Sequence, residues 1–140
     1  MLQLVLFSET CDDGDVSLGA DGTPYLFWGG GWSPICGHWF WNNQHGAKAF
    51  CEKLGFIDGT LNKENSEYCE DSIEIGTCNS GDAIDSCTGG SSGSKYSKTE
   101  WCQTGNQVKI TITCNGDTEN SELSSCTGRA RNLINIFTKK

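Results

Sequence analysis

The chain has 140 residues, 36% of them hydrophobic, enough for one modest core and too few for two. Its 18 acidic and 10 basic residues leave a net charge of −8, and the longest basic run is the terminal Lys139-Lys140, so nucleic acid would be repelled. Nine cysteines and 18 glycines, against two prolines and one methionine, point to a loop-rich fold in which crosslinks supplement a limited core.

In chain order, "LQLVLF" (residues 2–7) alternates Leu2, Leu4 and Leu6 as a strand does. It has no basic start and is shorter than a signal core, so Met1 is expected to head an excised domain, a mature chain or a truncated gene. "DVSLG" reads as a second strand, and Gly29-Gly30-Gly31 forces a bend before "WSPIC", a strand that Pro34 keeps near an edge. Asn42 or Asn43 can cap a helix through "QHGAKAFCEKL", which places Ala47, Phe50, Cys51 and Leu54 on its buried face and Gly55 at its left-handed end. Residues 57–72 are polar and turn-rich, and "CTGGSSGSKYSKT" from Cys87 to Thr99 has the composition of a mobile surface loop. "QVKITITC" points Val108, Ile110 and Ile112 one way, as a half-buried strand should. A polar stretch follows Cys114, then the apolar cluster Leu133, Ile134, Ile136 and Phe137, suited to docking on the domain or on another molecule. No run approaches the length of a membrane span, so no membrane insertion is expected of this segment.

Structural zinc usually takes cysteines in close pairs such as Cys-x2-Cys, and this chain has none; its nearest cysteines, Cys69 with Cys78 and Cys78 with Cys87, are separated by eight residues. Disulfides are the expected state, although nine cysteines with one left over allow about 945 pairings. His38 and His45, the only histidines, have no nucleophile–base pattern around them, and no catalytic residue, cofactor or metal site is expected. "CEDSIE" and Asp82/Asp85 lack the regularity of a calcium loop and read as a solvated acidic face. Most of the aromatics Trp28, Trp32, Trp39, Phe40 and Trp41 read as core around Cys36. Three consecutive aromatics cannot all turn inward from an extended segment, so at least one of Trp39, Phe40 and Trp41 should reach the surface as a ligand platform.

The run "GGWSPIC…AKAFCEKLGF" resembles the scavenger receptor cysteine-rich domain, whose signature is roughly G-x-W-G-T-V-C followed by A-x-x-V-C-x-x-L-G-F/C. "LQLVLFSETC", "GDVSLG", "IGTCNSGDAIDSC" and "WCQTGNQVKITITC" extend the likeness in order over residues 2–115. The resemblance implies an α+β, mostly β fold: a curved antiparallel sheet cradling one α-helix, stapled by disulfides. It assigns residues 1–115 to the domain and 116–140 to a C-terminal extension with an extra cysteine. It also implies the pairs Cys36 with Cys102, Cys51 with Cys114 and Cys78 with Cys87, and a core position for Trp32. The family's partner for Cys11 is here Phe56, so Cys11, Cys69 and Cys126 remain. Cys11 is expected to pair with Cys69, and Cys126 to bond another copy or another protein, with Leu133 to Phe137 supplying apolar contact. The acidic groups through which several family members hold a cation and bind polyanions are replaced by Gly37-His38 and "GNQVKIT", so no tight calcium or magnesium site is expected there.

The function expected on these grounds is a secreted or cell-surface, non-catalytic module that binds an extracellular protein or glycan. Two alternatives stand beside it: a protomer of an extracellular filament or matrix, self-assembling through the tail and odd cysteine, and a small lectin using exposed tryptophan.

Overall fold

Three short strands come first in a computed structural model that describes residues 11–87 and 96–126. They are β1 (Val16–Leu18), β2 (Pro24–Trp28) and β3 (Gly31–Pro34), paired antiparallel in the order β1-β2-β3. Their turns follow from local chemistry. Asp21 Oδ1 accepts from Thr23 N at 3.0 Å in the first turn. Gly29 and Gly30, with φ of 64° and 87°, give the second the two positive φ values that a tight hairpin needs. Val16 and Leu26 face each other across β1 and β2 and are fully buried. Pro24 stands at the first position of β2, where a strand tolerates it.

Helix α1 (His45–Lys53) buries Gly46, Ala47, Ala49, Phe50 and Cys51. Gln44, and not Asn42 or Asn43, stands at its N-cap; Asn43 Oδ1 accepts from His45 N at 2.9 Å, and Gln44 Oε1 accepts from Leu61 N at 2.6 Å. Gly55, φ 90°, ends it as expected of a left-handed position. The helix lies on a second antiparallel sheet of β4 (Asp58–Lys63) and β5 (Ile110–Asn115), whose register runs from Asp58 opposite Asn115 to Lys63 opposite Ile110. Gly59 allows the close approach, since a Cβ there would run into Cys51 Sγ and the Ala47 carbonyl. A one-turn helix, α2 (Glu100–Gln103), carries Cys102.

The observed architecture is thus a disulfide-stapled α+β domain that, among the described residues, has two antiparallel sheets and one helix of more than a single turn. The single curved sheet of the sequence reading is divided: β5 meets the three-stranded sheet through a turn, Ile112 N donating to Gly22 O at 2.8 Å, and not through a ladder. The expected strand at residues 2–7 and the tail cluster Leu133 to Phe137 lie outside the described residues, as does the centre of the Gly/Ser-rich loop. At its far end, Lys98 is exposed but Tyr96 is not a surface residue. Tyr96 is buried, meets Trp28 edge-on at 4.5 Å, and has its hydroxyl pushed to a high pKa by burial and, secondarily, by Asp85.

Four disulfides join Cys11 to Cys126, Cys36 to Cys102, Cys51 to Cys114 and Cys78 to Cys87. The last three coincide with the pairs the resemblance implies. The first corrects the expectation for the odd cysteines: Cys11 is bonded to Cys126 and not to Cys69, and Cys69 is the buried free thiol. The reason lies in residues 116–126, which fold back onto the preceding strands and helix. Glu122 N donates to Leu54 O, Leu18 N to Leu123 O, Val16 N to Ser125 Oγ at 2.9 Å, and Ser125 Oγ to the buried Asp15 Oδ1 at 2.7 Å. These bonds bring Cys126 beside Cys11. Cys69 packs instead with Val108 against the Cys36–Cys102 bridge, and burial pushes its thiol above the usual pKa.

Candidate functional site

The segment Trp39-Phe40-Trp41 is divided by its local geometry into frame and surface. Phe40 starts a 3₁₀ turn (Phe40–Asn42) and is fully buried against Gly46, where a Cβ would run into its ring. Trp41 is half-buried on Gly37, again where a Cβ would collide with the indole, and Lys63 Nζ stands 4.2 Å above its ring. Trp39 takes a left-handed φ of 70°, uncommon for a bulky residue, and its carbonyl accepts from Thr77 Oγ1 at 3.0 Å. The twist at Trp39 turns Phe40 inward while its neighbours stay near solvent.

His38 joins this group to a residue that sequence reading missed. Its ring stacks on Trp101 at 4.8 Å, tilts against Trp39 at 4.7 Å and meets Trp41 edge-on at 6.4 Å. Trp101 is 48% exposed, next to the buried Cys102 on the one-turn helix α2. The signal was present in "WCQ": neighbours on a helix are turned about 100° from one another, so Trp101 does not share the buried direction of Cys102. Desolvation holds His38 below the ordinary histidine pKa, with the buried Glu74 carboxylate partly offsetting the effect.

That shift has a stability consequence. The unfolded chain binds a proton at His38 more readily than the folded one, so the stabilisation from a neutral ring is present above about pH 6.5 and is lost as pH falls below it. Urea midpoints measured on both sides of that value should fall toward acid, and His38→Phe should flatten part of the fall. An undiminished fall in the variant would place the proton uptake elsewhere.

A second aromatic surface lies on the three-stranded sheet. Trp32 is 40% exposed, which corrects its expected core position. The register explains why: Leu26 opposite Ser33 fixes the inward side of β2, so Phe27 and its partner Trp32 face out. The two rings meet edge-on at 5.2 Å. Trp28 is half-buried, packed against the margin of the core.

His45, Lys48, Glu52, Asp58 and Asp82 line an open depression of about 430 Å³ beside α1. No three of the described His, Cys, Asp and Glu side chains are grouped to hold a metal ion. Among the described residues, no hydrogen bond joins either histidine ring to a hydroxyl, thiol or carboxylate. Nor is any described helix long and apolar enough to cross a membrane. No protein-family model matches the chain, and no curated protein matches it.

Proposed function

We propose that the chain is a non-catalytic, scavenger-receptor-cysteine-rich-like binding module of an extracellular, oxidising compartment, presenting aromatic side chains to a macromolecular ligand. Four disulfides within one chain suit such a compartment. The family reading draws support from the pairs Cys36–Cys102, Cys51–Cys114 and Cys78–Cys87 and from α1 lying over β4 and β5. The observation that carries the binding reading is the exposure of Trp32 and Trp101 at 40% and 48% on a crosslinked frame. Rigid aromatic anchors lose little conformational freedom on binding, which is why interfaces favour them.

The filament alternative loses its covalent joint, because Cys126 is bonded within the chain and the free Cys69 is buried. Arrays of secreted proteins and of glycans, probed with wild type and with a Trp32→Ala/Trp101→Ala double variant of unchanged thermal stability, test the reading. Wild type should bind and the variant should lose roughly tenfold or more in affinity. Binding should persist in a chelator, since the carboxylates of the family's cation site are replaced here. Equal binding by both proteins, or none by wild type, would refute it.

A further inference from the structure

We propose that the outward face of the β1-β2-β3 sheet is a binding platform for a neutral polysaccharide, with pyranose rings stacked on Trp32; the inference rests on the binding-module reading above. Strand alternation places Ser17, Tyr25, Phe27, Trp32 and Pro34 on this face, opposite the buried Val16 and Leu26. Its apolar area is aromatic, with Pro34 the only aliphatic ring and no Leu, Ile or Val among these positions. Such a face suits the carbon-bound hydrogens of a sugar ring, whose hydroxyls remain at the rim to bond water or polar groups.

The rings are held in place before any ligand arrives. Phe27 braces Trp32 edge-on. Tyr25 lies over Gly19, where a Cβ would come within 3.2 Å of its Cε2 atom. On this face Trp32 borders a depression of about 260 Å³ shared with Ser17 and Tyr25; the one of about 410 Å³ at its other edge is lined by the inward-side Trp28 and Ser33 with Ile73 and Tyr96, and lies off the platform. The depression on the platform has room for a hexose, and the neighbouring Phe27 ring extends the aromatic surface for a polymer. The glycine turn leaves the path open, since a Cβ at Gly29, Gly30 or Gly31 would meet nothing within 4 Å.

Charge and topology choose this ligand over others. The platform residues are uncharged, and among the described residues Lys98 and Lys109 beside the sheet stand 4.0 Å from Asp71 and 3.8 Å from Asp21, on a chain of net charge −8, so a polyanion finds little to attract it. A peptide added as an extra strand finds the edge of β1 taken by residues 123–125 and the end of β3 taken by Ile73.

Co-sedimentation of the full chain with insoluble cellulose and chitin, and affinity electrophoresis in dextran, test this, with dextran sulfate as the polyanion control. At least one neutral polymer should retain wild type, with retention unchanged by added salt. Trp32→Ala should weaken it roughly tenfold, Trp32→Tyr should restore most of it, and Ile57→Ala, at an exposed side chain outside the three-stranded sheet, should leave it unchanged. Thermal melts of each variant separate loss of binding from loss of fold. Retention by dextran sulfate alone, by no neutral polymer, or undiminished in Trp32→Ala overturns the proposal. If a protein ligand from the arrays still depends on Trp32 or Trp101, the polysaccharide inference falls while the binding-module reading stands; if neither residue matters for any ligand, both fall.

Discussion

Denatured without reductant, the wild-type chain should titrate one thiol, Cys69, whereas Cys126→Ser should titrate two and unfold roughly 4–5 kcal/mol more easily. The Cys11–Cys126 bridge spans 115 residues, so its loss releases more chain entropy in the unfolded state than loss of any other bridge here. A domain of this size is stable by only about 5–15 kcal/mol in total, so the variant should sit near the limit of folding. Cys78→Ser opens a bridge between cysteines nine positions apart and should cost only about 2–3 kcal/mol. Cys69→Ser should leave all four bridges and a monomer on a non-reducing gel. A wild-type chain that migrates as a reducible dimer, or that titrates no thiol, would mean that Cys126 or Cys69 has a partner outside the chain.

The bridge at Cys126 also marks where the sequence stopped being legible. Resemblance supplied three pairs but ended at residue 115, and nothing in "NGDTENSELSSC" announces that Ser124 and Ser125 would bond to β1. Helix α1 and strand β5 could be read because their apolar residues recur at the periods of a helix and of a one-faced strand. Strand β4 could not: only Gly59 and Leu61 turn inward, and glycine carries no hydrophobic signal. In β2, "PYLFW" is apolar on both faces, so alternation could not show that Tyr25 and Phe27 face outward. The same ambiguity hid the exposure of Trp32, which only pairing register settles. Trp39-Phe40-Trp41 was readable as a group that must divide, but the division itself depends on one left-handed residue, Trp39.

Phe40→Ala should therefore destabilise the domain by about 3–5 kcal/mol, while Trp101→Ala should change stability by less than about 1 kcal/mol. Phe40 is fully buried between its 3₁₀ turn and α1, and truncating it leaves a cavity that the crosslinked frame resists collapsing; Trp101 is nearly half exposed. The contact with Gly46 supplies a sharper test. Glycine inside a helix costs up to about 1 kcal/mol relative to alanine, so Gly46→Ala ought to stabilise α1 if the site had room. It has none, because the added methyl would enter the Phe40 ring. Gly46→Ala alone should then cost about 1–3 kcal/mol through overpacking, yet in the Phe40→Ala background it should be neutral or stabilising. Urea titrations of wild type, both single variants and the double variant measure the coupling, which should exceed about 1 kcal/mol with the sign of mutual relief. Simple additivity would show that Phe40 does not occupy the space over Gly46, and would reopen the possibility that Phe40 belongs to the surface with Trp39 and Trp41.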